Sequence, residues 1–130
     1  MTKRNTILLV DDDASILMEL IGFFKQDYEL ATAKNGAAAI ERAAATLPDL
    51  ILLDIIMPGK NGLDVLKELK NTEKTKDISV IIASGTTENT DERRGLELGA
   101  IDYIRKPFDE TIVKLRIKYH MSVINKLKNR

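Results

Sequence analysis

The chain has 130 residues, 44% hydrophobic and 31% charged, with 20 Lys/Arg against 20 Asp/Glu and no cysteine. Such a chain can bury one core as a single domain, and it excludes disulfides, thiolate chemistry and cysteine-ligated metals. No apolar run is long enough to cross a membrane, and Met1 to Asn5 lead into a strand-like run with no signal-peptide core, which favours the cytoplasm.

The first element, Thr6 to Val10, is a short apolar run of the buried-strand type, and it ends abruptly in Asp11-Asp12-Asp13. From Ala14 the period becomes helical, with Ile16, Leu17, Leu20, Ile21 and Phe24 on one face and Asp13 placed to cap the helix. Capping accounts for one or two of the acids. Three together repel one another, which points to a cation at this strand end. Tyr28 to Ala33 reads as a more exposed strand, Asn35-Gly36 as a turn, and Ala37 to Thr46 as an Ala-rich helix.

Leu50 to Leu53 is the most apolar strand, and Asp54 stands where the run should continue. Pro58-Gly59 and Asn61-Gly62 then break the chain into a loop. An ionised Asp is rarely buried without a partner, so Asp54 belongs at the strand's carboxyl end, where open α/β sheets bind ligands. Leu63, Leu66 and Leu69 mark a helix to about Lys70, followed by a polar loop over 71–77. Ile78 to Ala83 is a fourth buried strand ending in Ser84-Gly85-Thr86-Thr87. Glu88 to Leu98 reads as a weaker helix anchored by Leu96 and Leu98, with Gly99 in the C′ position. Ile101 to Arg105 is a fifth strand closed by Lys106-Pro107-Phe108, and a helix of about twenty residues runs on from Asp109.

Five strand–helix alternations imply an α/β fold, a doubly wound five-stranded parallel sheet of flavodoxin-like (βα)5 type with strand order 2-1-3-4-5. That order brings Asp11, Asp12, Asp54, Ser84 with Thr86 and Thr87, and Lys106 to one carboxyl edge. Three carboxylates suit Mg²⁺, while a hydroxyl and an ammonium match the oxygens of a phosphoryl group on Asp54.

Over residues 5–120 the chain resembles the receiver (phosphoacceptor) domain of bacterial two-component response regulators. The resemblance rests on Leu8 to Asp13, on Asp49 to Gly59 with Asn61-Gly62, on Val80 to Gly85, and on Gly99 to Phe108, in that order. It implies a phosphorylation-dependent signalling switch in which Asp54 accepts a phosphoryl group from the phosphohistidine of a sensor histidine kinase or phosphotransfer protein. Asp12 would bind Mg²⁺ (or Mn²⁺) directly and Asp11 through water, with Asp54 and the backbone carbonyl of Ile56 completing the protein ligands. Ser84 would hydrogen-bond the phosphoryl group, Lys106 would pair with it, and Tyr103 would switch between exposed and buried rotamers. No enzymatic activity beyond self-phosphorylation and self-dephosphorylation is implied, and Lys106-Pro107 is expected to be cis. Two departures stand out. Gly85 follows Ser84 where the family usually has Ala, and Ile56 is apolar where some members carry a polar side chain.

Two rivals stand beside this reading. A haloacid-dehalogenase-like phosphatase also uses a strand-end Asp, but needs a second Asp two residues on, where this chain has Ile56. A pseudo-receiver interaction module would not need the intact acids and Lys106. His120, the sole histidine, reads as an ordinary helix residue.

Residues 1–130 read as one domain, with 120–130 expected to extend toward an output domain or a dimer partner, or to be a solvated tail. Val113, Ile117, His120, Ile124 and Leu127 follow a coiled-coil spacing. Ile112, Leu115, Tyr119 and Val123 are expected to pack on the sheet. Residues 109–130 carry six Lys/Arg against two acids, which fits a solvated helical face. Direct contact with membrane or nucleic acid is not expected.

Overall fold

The computed structural model describes residues 4–57, 59, 61–85 and 89–128, except the side chains at 89 and 90. Its elements are β1 (Thr6–Val10), α1 (Ala14–Phe24), β2 (Glu29–Ala33), α2 (Gly36–Thr46) and β3 (Leu50–Asp54). They continue with α3 (Gly62–Lys70), β4 (Ser79–Ser84), α4 (Asn89–Glu97), β5 (Asp102–Arg105) and α5 (Glu110–Lys128). The five strands form one sheet in the order β2-β1-β3-β4-β5, and every pairing is parallel. Order and direction agree with the sequence reading.

Parallel sheets carry helices on both faces, so their central strands are apolar on both sides. Alternate residues go to alternate layers. Leu8, Val10, Ile51, Leu53, Val80 and Ile82 point into one core, packed with α2 and α3. Ile7, Leu9, Leu50, Leu52, Ile81 and Ala83 point into the other, packed with α1 and α5. Every residue of β3 is buried. Asp13 caps α1 by accepting from the Ser15 and Ile16 amides at 2.8 and 3.4 Å, and Gly99 takes a φ of +113° after α4.

Two expectations about apolar faces are corrected. Leu96 does not anchor α4, being 44% exposed. Close approach at Gly95 brings that helix to the sheet instead: a Cβ there would lie 2.2 Å from Ile82 Cδ1. In α5 the stripe expected to pack on the sheet, Ile112, Leu115, Tyr119 and Val123, is the exposed one, at 40–65% exposure. Val113, Ile117, Met121 and Ile124 are buried in its place. Both stripes have similar apolar content, and polar ties select the phase. Asn125 exchanges two amide hydrogen bonds with Asn5, at 2.9 and 3.0 Å, and Lys128 pairs with Asp49. These ties hold the last turns of α5 against the strand starts, so Ile124 packs in the core.

His120 is also more than an ordinary helix residue. Its Nε2 lies 2.9 Å from Asp102 Oδ2, while Arg116 Nη1 donates to Asp102 Oδ1 at 3.1 Å and to the Tyr103 carbonyl at 3.3 Å. Among the described residues no helix is long and apolar enough to cross a membrane.

Candidate functional site

The strand order reverses between β1 and β3, so their carboxyl ends open on a crevice. Asp11 follows β1 directly, and its amide donates to the Ala33 carbonyl at 3.1 Å, which fixes the backbone at the mouth. Asp54 is the last residue of β3. Both carboxylates are buried, at 2% and 3% exposure, whereas Asp12 is exposed. One carboxylate oxygen from each of Asp11, Asp12 and Asp54 lies within 4.8 Å of the others. Asp13 turns away to cap α1, and hydrogen bonds from the Ser15 hydroxyl and amide hold its carboxyl below the ordinary range.

Lys106 enters the crevice from the end of β5. Its amide donates to the Ser84 carbonyl at 2.9 Å, which locks the ends of β4 and β5 together, and the next peptide bond, to Pro107, is cis. Lys106 Nζ sits 2.7 Å from Asp11 Oδ2 and 3.5 Å from Asp54 Oδ1. Burial alone would lower this ammonium, but the hydrogen bond to Asp11 and the charges of Asp54 and Asp11 outweigh it and hold the group above its usual value.

Asp54 is pushed up to about 6, first by burial and then by the charge of Asp11. Lys106 and the Ile56 amide, which donates to Asp54 Oδ1 at 3.2 Å, oppose that rise without cancelling it. Three carboxylates against one ammonium leave the crevice with surplus negative charge. All three are hard oxygen donors, the set that suits an Mg²⁺-class cation. Asp11, Asp12 and Asp54 thus fit a bound divalent ion.

The other expected residues fall around this cluster. Ser84 ends β4 fully buried, one position beyond Ala83, the register partner of Asp54. Tyr103 pairs in register with Ile82, and its ring is buried at 7% exposure, with the Arg105 guanidinium 5.6 Å from its centroid. Ile56 is 61% exposed beside Asp54. Thr86 and Thr87 lie outside the described residues.

Gly62 is a determinant the sequence reading treated only as a turn residue. Its amide donates to the Ile55 carbonyl at 2.9 Å, and a Cβ there would lie 2.2 Å from Ile55 Cα and 2.5 Å from the Asp54 carbonyl oxygen. Only glycine lets α3 start this close behind Asp54. The Asn61-Gly62 pair was the available signal, since Asn61 also caps α3 through the Leu63 amide at 2.7 Å.

The family description of the response regulator receiver domain matches residues 7–118. The chain is 37% identical over 113 residues to response regulator PleD of Caulobacter vibrioides, covering 86% of this chain and 25% of PleD. It is 40% identical over 114 residues to the phosphate regulon transcriptional regulatory protein PhoB of Pseudomonas aeruginosa, covering 87% of this chain and 50% of PhoB. Among solved structures, the BeF3-activated N-terminal receiver domain of Klebsiella pneumoniae RstA superposes with a TM-score of 0.82 at 28% identity. That match covers 89% of this chain and 97% of the RstA domain. The chain therefore spans a quarter to a half of the length of these two curated relatives.

Proposed function

We propose how this protein works from one premise: the chain belongs to the response regulator receiver domain family and acts as a phosphorylation-dependent signalling switch. Asp54 is the phosphoacceptor. One of its carboxylate oxygens attacks the phosphorus of a phosphohistidine on a sensor histidine kinase or phosphotransfer protein. The new P–O bond forms as the P–N bond breaks, and its electron pair returns to the imidazole nitrogen, which takes a proton from solvent. Hydrolysis reverses the modification: water attacks phosphorus, the P–O bond to Asp54 breaks, and carboxylate and inorganic phosphate are released.

Asp12 would hold Mg²⁺ or Mn²⁺ directly and Asp11 through water, together with Asp54 and the Ile56 carbonyl. Such an ion supplies positive charge against the negative charge of the transferring phosphoryl oxygens. Lys106 moves its ammonium from Asp11 and Asp54 to a phosphoryl oxygen, and the Ser84 hydroxyl donates to another. Ser84 ends β4, which pairs with Tyr103, and Lys106 directly follows β5, which contains it, so drawing both groups toward the phosphoryl oxygens biases its buried ring and the β5 face. The chemistry proposed is confined to phosphorylation and dephosphorylation of the chain's own Asp54. The exposed α5 stripe of Ile112, Leu115, Tyr119 and Val123 is offered to an output domain or to a second copy.

The observation that carries this reading is the approach of Lys106 Nζ to both Asp11 and Asp54 within the three-carboxylate cluster. It is tested by incubating the chain with Mg²⁺ and acetyl phosphate or beryllofluoride and locating the adduct by mass spectrometry and NMR. An adduct on Asp54 that Asp54→Ala abolishes is expected. An adduct surviving that substitution, or none on the unaltered chain, overturns the assignment.

A further inference from the structure

We propose that the free edge of β2 is a second binding surface, which takes an extended acidic segment of a partner protein as an added strand. β2 ends the sheet and pairs with β1. In a parallel ladder a residue's N–H and C=O point to the same side. The Glu29 amide donates to the Asn5 carbonyl, and the Ala33 carbonyl accepts from the Asp11 amide. Residues 29, 31 and 33 therefore face β1, and Leu30 and Thr32 turn both backbone groups outward. That edge is the floor of a groove of about 550 Å³ between α1 and α2. Half-buried Ile21, Tyr28 and Leu30 give it an apolar base.

Charge decides the occupant. Arg4, Lys25 and Arg42 rim the groove against one acid, Glu29. Arg4 is held in place by donating from Nη2 to the Lys25 and Tyr28 carbonyls, at 2.7 and 3.0 Å. Basic side chains on an open edge discourage pairing with an identical edge, because a second copy would set cation against cation. The same rim attracts a strand whose side chains carry carboxylates. Main-chain hydrogen bonds to Leu30 and Thr32 would supply affinity, and the three cations the selectivity. The three-carboxylate cluster is made by Asp11, Asp12 and Asp54 and by no side chain of β2, so the inference stands independently of the phosphoacceptor reading.

The test uses a fluorescein-labelled ten-residue peptide alternating valine and glutamate, with a valine–lysine peptide as control, read by anisotropy and by amide NMR. The acidic peptide is expected to bind, with shifts centred on 28–34 and affinity falling as salt rises. Thr32→Pro removes an outward N–H while leaving the β1 ladder intact, and it should weaken binding about tenfold or more. Lys25→Glu with Arg42→Glu changes exposed side chains alone and should do the same, which keeps the test decisive if the proline variant folds poorly. Phosphorylation at Asp54 should be unchanged in the double charge-reversal variant, whose altered side chains are both exposed. Equal binding of the lysine peptide, no binding at millimolar acidic peptide, or binding untouched by the double charge reversal overturns the proposal. A concentration-dependent dimer in sedimentation that Thr32→Pro disperses would assign the edge to a second copy and overturn it equally.

Discussion

Asp54→Asn should make the cation-free protein more stable at neutral pH, although it removes the acceptor. Asp54 is raised from 3.8 to about 6. The folded chain therefore holds this proton more tightly than the unfolded chain, and between pH 3.8 and about 6 the folded state carries the extra proton. The favourable contribution is present below 3.8 and is lost as pH climbs through about 6. At 1.36 kcal/mol per pKa unit, the full cost of the ionised carboxylate is about 3 kcal/mol. Asparagine keeps an oxygen for the Ile56 amide, and Lys106 keeps its closer partner Asp11. The net gain expected above pH 7 is thus about 2 kcal/mol. Urea unfolding of both chains in EDTA, followed by circular dichroism from pH 4 to 8, measures it. The curves should converge near pH 4 and separate through pH 6, with the variant the more stable. Adding Mg²⁺ should narrow the gap by stabilising the unaltered chain. A variant of equal or lower stability at pH 7.5, or a gap that widens toward acid, would refute the electrostatic account of the crevice.

Two further substitutions test the turn behind Asp54 and the side chain beside it. Gly62→Ala should lower stability by about 2 kcal/mol or more in urea unfolding, because its methyl would overlap Ile55 Cα and the Asp54 carbonyl; an unchanged midpoint would show that the turn opens freely. Ile56→Asn should leave stability within about 0.5 kcal/mol, since the side chain is 61% exposed. It should also hasten loss of the phosphoryl group, because an amide can orient water where isoleucine cannot. An identical decay rate after phosphorylation with acetyl phosphate would remove Ile56 from the account.

Much of this protein follows from local sequence. Leu50 to Leu53 reads as a strand buried on both faces, and an acid ending such a strand belongs at a mouth where charge is tolerated, as the structure places it. Two such strands and five alternations are enough for the sheet order and for the meeting of Asp11, Asp12, Asp54 and Lys106. Other features depended on groups far apart in the chain. The phase of α5 was not legible because its two stripes are alike in apolar content; the Asn5–Asn125 and Asp49–Lys128 ties choose between them. The pairing of His120 with Asp102 depends likewise on where α5 lies across β5. Gly62 looked like any turn glycine until α3 was placed against Ile55. Periodicity reports which side of an element is apolar, but hydrogen bonds and steric limits between distant segments exist only once the backbone brings them together.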